Sequence, residues 1–397
     1  MMPPAGGPTP VLLMARELGL GGTERQLAEI ARALDRAHFE PHVGCFRPEG
    51  MRGDELRALN IPVIRFPVRS FYGSSAWTSA RRMGRYLRQN RIQLVHTFDV
   101  PLNVFGVLAA RAFHTPLVMS SQRAYRELAS PLLRPLLRVT DRLSDAIVVN
   151  CQAIRRHLIE DEHVPAERIE VCYNGIDTSQ FHPAQAERVP ELREASLTIG
   201  VVCALRPEKG LFTLLEGFAR VRDEQSGLKL AIVGSGPLRA ALEARSSELG
   251  IREMCVFQDA TRDVPNWLRS LDIFVLPSFS EALSNALMEA MACGCAVIGS
   301  RVGGNMELID EGRTGLLFDA GNPEQLARCL RLLISNRELR RRMGSAAGRS
   351  IQQNFSLLAA ATRMAEIYSR GLESRRAAHE PRHSVAAASG LDYNTQR

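Results

Sequence analysis

Short β-branched runs alternate with longer stretches of helical period along nearly the whole chain. Val11–Ala15, Pro41–Phe46, Pro62–Phe66, Gln93–Thr97, Leu117–Ser121, Asp145–Asn150 and Arg168–Cys172 read as strands, each an apolar run bounded by turn residues. Between them, segments such as Glu24–Leu34, Ser79–Asn90 and Asn103–Ala112 place apolar residues at helical spacing. Strands separated by helices of that length predict parallel βαβ units with right-handed crossovers. The alternation pauses over residues 181–195, a polar stretch with Pro183 and Pro190, and restarts at Leu197–Cys203. It continues through Leu228–Gly234, Met254–Phe257, Ile273–Pro277, Ala296–Ser300 and Gly315–Phe318. The pattern predicts two Rossmann-like, doubly wound α/β domains, over residues 1–180 and 197–354, joined by a linker at 181–196. Residues 336–370 are helical in pattern, and 355–373 form a separate candidate helix. From 374 to 397 the apolar period is lost, which predicts a disordered tail. Ligands of such domains bind beyond the carboxyl ends of the strands, so the cleft between the two is the expected site.

Composition narrows the classes. A chain of 397 residues with 45% hydrophobic and 23% charged side chains is an ordinary globular protein of two domains. No run reaches the roughly 18 uninterrupted apolar residues of a membrane span. Met1–Pro10 has no basic segment followed by an apolar core, so no secretory signal is expected and a cytoplasmic location is. The eight cysteines are scattered without a CxxC pair and read as buried, reduced thiols. The net charge is +7, of which about +5 falls before residue 190 and about +2 after it. Almost all of the cations are arginine. Lysine occurs only at 209 and 229, which draws attention to any motif that contains one.

Three loops follow strands. Gly19-Leu20-Gly21-Gly22-Thr23-Glu24-Arg25-Gln26 opens a helix, and Thr23 with Gln26 fits a capping box. Free amides beside Gly21 and Gly22 would suit a phosphate or sugar, although a simple tight turn fits as well. Absence of a GxGxxG pattern speaks against a dinucleotide. Ala204-Leu205-Arg206-Pro207-Glu208-Lys209-Gly210 sets Arg206 and Lys209 at a strand's carboxyl end, where two cations could clamp a diphosphate. The third loop runs from Pro277 into an apolar helix ending near Gly294 and carries Glu281 and, eight residues on, Glu289. A carboxylate among Leu287, Met288, Ala290 and Met291 is expensive to bury without a partner, and a ribose diol or a cation would supply one.

In this order and combination, the motifs resemble the retaining, nucleotide-sugar-dependent glycosyltransferases of family 4, which have the two-Rossmann GT-B fold. The stretches concerned include GLGGTERQLAEIARAL, LVHTF, YNGIDTSQFHP, ALRPEKG, IVGSGPLRAALE, LDIFVLPSFSEALSNALMEAMACGCAVIGSRVGG and EGRTGLLF. The resemblance runs from about Val11 to Tyr368. It implies that Arg206 and Lys209 neutralise the leaving diphosphate and that Glu281 contacts the donor sugar. It also implies that Glu289 holds the ribose, with Ser284 and Asn285 opening the same helix, and that Gly21 and Gly22 lie against donor phosphates or acceptor. His96, Arg123 and Asn174 become candidate cleft groups, with His96 left open between that role and a packed strand end. The C-terminal helix, with Phe355–Tyr368 as its candidate, would cross back onto the first domain. Three positions depart from the family: Ala282 and Ser284 stand where many members have Gly and Pro, and Ser235 replaces a common acidic residue. After Leu117–Ser121 the chain reads Gln122-Arg123, where many members carry a histidine.

The function these features imply is transfer of a hexose, with retention, from a UDP- or GDP-sugar to a saccharide or lipid-linked acceptor. The alternatives are a UDP-sugar epimerase on the same fold and a non-catalytic sugar-nucleotide-binding protein. No Asp-x-Asp occurs, so no metal or other cofactor is expected. Arg81, Arg85 and Arg88 share one side of a helix, and Arg134, Arg138 and Arg142 follow at i, i+4 spacing. Both runs read as a solvated face or as a patch for anionic lipid at the inner face of the membrane, and nucleic acid is not expected.

Overall fold

The computed structural model describes residues 7–19, 21–71, 73–128, 133–184 and 187–379. In the first domain β1 (Thr9–Glu17), α1 (Gly22–Ala33), β2 (Phe39–Arg47), α2 (Met51–Ala58) and β3 (Val63–Arg65) are followed by α3 (Ser74–Gln89), β4 (Leu94–Thr97) and α4 (Val100–Ala112). Then come β5 (Leu117–Gln122), α5 (Arg134–Leu143), β6 (Ala146–Val149), α6 (Gln152–Glu160) and β7 (Ile169–Val171). The second domain begins with β8 (Leu197–Val202), α7 (Leu211–Ala219), β9 (Leu228–Val233), α8 (Arg239–Glu248), β10 (Cys255–Gln258) and α9 (Val264–Arg269). It continues through β11 (Ile273–Leu276), α10 (Asn285–Ala292), β12 (Ala296–Ser300), α11 (Asn305–Leu308) and β13 (Gly315–Phe318), and closes with α12 (Pro323–Ser335) and α13 (Arg337–Asn354). Last is α14 (Leu357–His379).

Among the described residues the first sheet has the order β3-β2-β1-β4-β5-β6-β7 and the second β10-β9-β8-β11-β12-β13, with every named pair parallel. Both orders reverse direction beside the first strand of the domain, and the loops that leave there are the ones singled out from the sequence. Helices cover both faces of each sheet, so the central strands are apolar on both sides: Val11–Ala15 and Ile273–Leu276 are fully buried.

The chain returns to its start through α14. Ile176 and Leu357 pair across the turn, Ile176 N donating to Phe355 O at 2.9 Å and Leu357 N to Ile176 O at 2.8 Å. Met364, Ile367, Tyr368 and Leu372 of α14 then pack into the first domain's core with Leu27, Ile30 and Phe39. Arg363 and Arg370 pair with Glu170, and Arg375 with Asp145. Of these pairs only Arg375–Asp145 lies past the predicted end at 373, where apolar periodicity fades. Six further residues of the expected tail are helical, and 380–397 lie outside the described residues. Arg134 opens α5 with Pro135 next to it, since proline is tolerated in the first helical turn.

Candidate active site

Gly210 sets the geometry of the loop after β8. Its φ is +62°, and a Cβ there would stand 2.1 Å from the Pro277 carbonyl, so the loop after β8 lies directly against the loop after β11. Phe279 N donates to Glu208 O at 2.8 Å and ties the two together. Lys209 Nζ consequently reaches Glu281 Oε1 at 2.6 Å, and Ser278 Oγ donates to the same oxygen at 2.8 Å. Burial by itself would lower the Lys209 pKa, but the Glu281 carboxylate outweighs it and raises the value, so the ammonium is charged. The pair spans 72 positions of sequence and joins the two motifs. Arg206 behaves differently: it is exposed, and while its backbone N donates to Ala204 O at 3.0 Å, its side chain makes no hydrogen bond or ion pair among the described residues. Of the two cations, Lys209 is thus held by a carboxylate and the Arg206 side chain is not.

Glu289 is buried on α10, and its partner comes from the other domain. Arg25 of α1 donates to it while stacking on the Phe181 ring at 5.0 Å. Burial raises the Glu289 pKa and Arg25 opposes that rise. Ser284 caps α10, its Oγ accepting from Leu287 N at 3.3 Å. Asn285 Oδ1 accepts from Asn174 Nδ2 at 2.8 Å and from Gln26 Nε2 at 3.3 Å. Arg123 extends this line, donating to Asn174 Oδ1 at 2.7 Å. A Cβ on Gly22 would be 3.2 Å from Asn285 Nδ2, so the glycine loop touches the α10 N-terminus. At Gly21 a Cβ would instead meet the Glu24 carboxylate at 2.1 Å.

One expectation is corrected and one open reading is decided. The capping box does not form: Gly21 is the N-cap of α1 and no side chain caps it. Gln26 turns inward, exchanging two 3.0 Å hydrogen bonds with the Gly175 backbone, because that buried turn has no other partner for its amide. His96 is a packed strand-end residue, not a cleft group. It is fully buried, with Nδ1 at 2.7 Å from Tyr368 Oη and Nε2 at 2.8 Å from Ser121 Oγ, and burial holds its pKa well below the usual histidine range. The second-domain helix that crosses back is what covers it.

Between the domains lies a cavity of about 710 Å³, within the range of roughly 300–1,000 Å³ common for small-molecule sites. Its walls are α1 and α2 of the first domain (Arg25, Arg32, Arg52) and, from the second, the strand ends and loops at Val202–Ala204, Val233–Ser235 and Ala260–Arg262. Sequence reasoning missed Arg25, although it stands inside the quoted glycine-loop motif. It also missed Glu307, whose carboxylate takes Gln152 N at 2.9 Å, Ala153 N at 2.8 Å and Tyr173 Oη at 3.0 Å from the first domain. Its one sequence signal is a position three residues past Gly303-Gly304.

Fold and site define a two-domain GT-B architecture, and the comparisons with known proteins agree. Residues 20–180 match the family described as Glycosyltransferase Family 4 and residues 184–350 the one described as Glycosyl transferases group 1. The chain belongs to this glycosyltransferase group. Sulfoquinovosyl transferase SQD2 of Arabidopsis thaliana is 30% identical over 294 residues, 68% of this chain and 55% of that protein. A D-inositol 3-phosphate glycosyltransferase of Corynebacterium efficiens is 32% identical over 241 residues, 57% and 56% of the two chains. Matches to the first such relatives span only 31% to 56% of their own length. Anabaena HepE, solved with UDP and glucose, shares the fold at a TM-score of 0.80 and 22% identity, over 90% of this chain and 99% of that one.

Proposed function

We propose that the protein transfers a hexose, with retention of configuration, from a UDP- or GDP-sugar to a saccharide or lipid-linked acceptor. The observation that carries this reading is the Lys209–Glu281 pair, which joins the loops after β8 and β11, while Arg25, the partner of buried Glu289, lines the interdomain cavity. The relatives' names point the same way, two of them being transferases of sugars and HepE holding UDP with glucose. In the reaction the bond from the anomeric carbon to the diphosphate breaks, and the acceptor oxygen bonds to that carbon on the same face. The acceptor's proton passes to a departing phosphate oxygen. Lys209 and Arg206 neutralise the developing charge, so side chains do what a metal would otherwise do, and Glu281 holds both Lys209 and a hydroxyl of the sugar. Glu289 takes the ribose diol, with Arg25 as its neighbour across the cleft.

A panel of nucleotide sugars, read by thermal shift and then by transfer, tests the donor. Lys209→Ala and Glu289→Ala should each lower turnover with the true donor, Lys209→Ala by about 10²–10³-fold. Full turnover in both would overturn the donor site.

Membrane attachment is the finer part of the proposal, with the cytoplasmic face as the place of work. The α3 surface supports it: Arg81, Arg82, Arg85 and Arg88 are exposed without an ion pair among the described residues, and Trp77 is 62% exposed under Arg81. The α5 run contributes less, since Arg138 pairs with Glu162 and Arg134 donates to the Glu127 carbonyl. Sedimentation with vesicles should show binding that requires anionic lipid. Indifference to lipid charge would remove this part.

A further inference from the structure

Arg123 is a part-buried cation of the first domain without an anion. It stands just past β5, its guanidinium 5.0 Å from the Phe98 ring centroid and one terminal nitrogen donating to Asn174 Oδ1 at 2.7 Å. Its Nε is buried with no hydrogen-bond partner, and among the described residues no carboxylate pairs with it. Desolvation brings its pKa down to about 10, which leaves it charged at neutral pH. Buried charges are ordinarily paired, as the neighbouring Arg126 is with Asp141 and Glu162. The position is also central. Asn174 links Arg123 to Asn285 at the start of α10, and Tyr125, two residues on, has its hydroxyl 3.3 Å from where a Cβ on Gly303 would stand, beside the Glu281 carbonyl. The unmatched guanidinium therefore stands at the domain boundary, one residue, Asn174, away from the helix that carries Glu289.

We infer that Arg123 is an acceptor-specificity residue: the acceptor carries an oxyanion, phosphate or carboxylate, that completes the guanidinium's pairing when the acceptor enters. A planar fork pre-held by Asn174 and Phe98 suits two parallel hydrogen bonds to such a group, and a neutral sugar hydroxyl would leave the charge unmet. The inference rests on the transferase reading above, because it takes the first domain as the acceptor side.

The test uses the full chain saturated with UDP, so that the diphosphate site is filled. Inorganic phosphate and, separately, acetate are titrated and followed by calorimetry for the wild type, Arg123→Gln and Arg123→Lys. At least one anion should bind the wild type, at least tenfold more weakly to Arg123→Gln and with part of the affinity kept in Arg123→Lys, while UDP affinity is the same in all three. Which anion responds tells phosphate from carboxylate. If neither anion binds the UDP-loaded wild type, or both bind Arg123→Gln equally well, the inference falls and the transferase reading stands. A loss of UDP affinity in Arg123→Gln equal to the loss of anion affinity would assign the residue to the donor and overturn the inference. If no nucleoside diphosphate binds the wild type, the transferase reading itself fails. Melting temperatures of the two variants show that each is folded, and Arg123→Lys retains the charge should Arg123→Gln not fold.

Discussion

Removing the Glu307 carboxylate should loosen the two domains from one another. α6 begins with its first amides unpaired within the helix, and its N-cap, Cys151, offers only a thiol at 3.5 Å from Ile154 N. Glu307 of the other domain supplies the acceptor, taking Gln152 N, Ala153 N and Tyr173 Oη together. A hydrogen bond to a charged group is worth about 1.5–3 kcal/mol, and a carboxylate at a helix N-terminus about 0.3–1 kcal/mol, up to ~2 when partly buried. Glu307 is itself only partly buried, so the three contacts do not add in full, and a loss of about 2 kcal/mol is expected for Glu307→Ala. For domains of this size about 1 kcal/mol moves the melting temperature by roughly 2–4 °C, which gives a drop of roughly 4–8 °C by calorimetry. Glu311→Ala is the control, since Glu311 pairs with Arg301 on the surface of the second domain and should cost under about 0.5 kcal/mol. Glu307→Gln should fall between the two, because one amide oxygen can still accept. A shift below about 1 °C for Glu307→Ala, or one no larger than the control's, would refute the reasoning.

Two further perturbations test how α14 and the cleft rim are held. Tyr368→Phe leaves His96 Nδ1 without a partner in a fully buried site and should cost about 1–3 kcal/mol of stability in denaturant melts; a neutral result would mean that this hydrogen bond adds nothing to the hold on α14. Asp99, which accepts from Leu102 N and Arg16 N, is raised by burial from 3.8 to about 6. The folded chain therefore binds this proton more tightly than the unfolded one. That contribution to stability is fully present below the unfolded pKa and is lost as pH rises through the folded one. Asp99→Asn should flatten the change in melting temperature between about pH 4 and pH 6, and an unchanged slope would show that another group sets it.

Much of the candidate site is legible in the chain because strand ends and the loops after them are local features. β12 and β13 have the boundaries the pattern predicts, Ala296–Ser300 and Gly315–Phe318. The loops carrying Lys209, Glu281 and Glu289 are where parallel strands must deliver them, and a lysine in a chain with only two marks its place without any structure. Arg25 and Glu307 were not legible in this way. Their partners lie 264 positions away for Arg25 and about 155 for Glu307, in the opposite domain, and no local pattern specifies a contact across an interface.

By itself, then, the sequence determined two parallel α/β domains and the loops after their strands that carry Lys209 and Glu281. These follow from hydropathic period and turn chemistry, which act over a few residues. Only the tertiary structure decided which polar groups are spent on packing and which remain for a ligand. His96 stood open between a cleft group and a packed strand end until Tyr368, 272 positions on, covered it. Gln26 looked like a helix cap until the Gly175 turn claimed it. Arg123 was one candidate group among several until the structure left its Nε buried without a partner and no carboxylate beside it among the described residues. The reason in each case is the same: a buried polar group takes its character from its partner, and in this protein the partners come from distant parts of the chain.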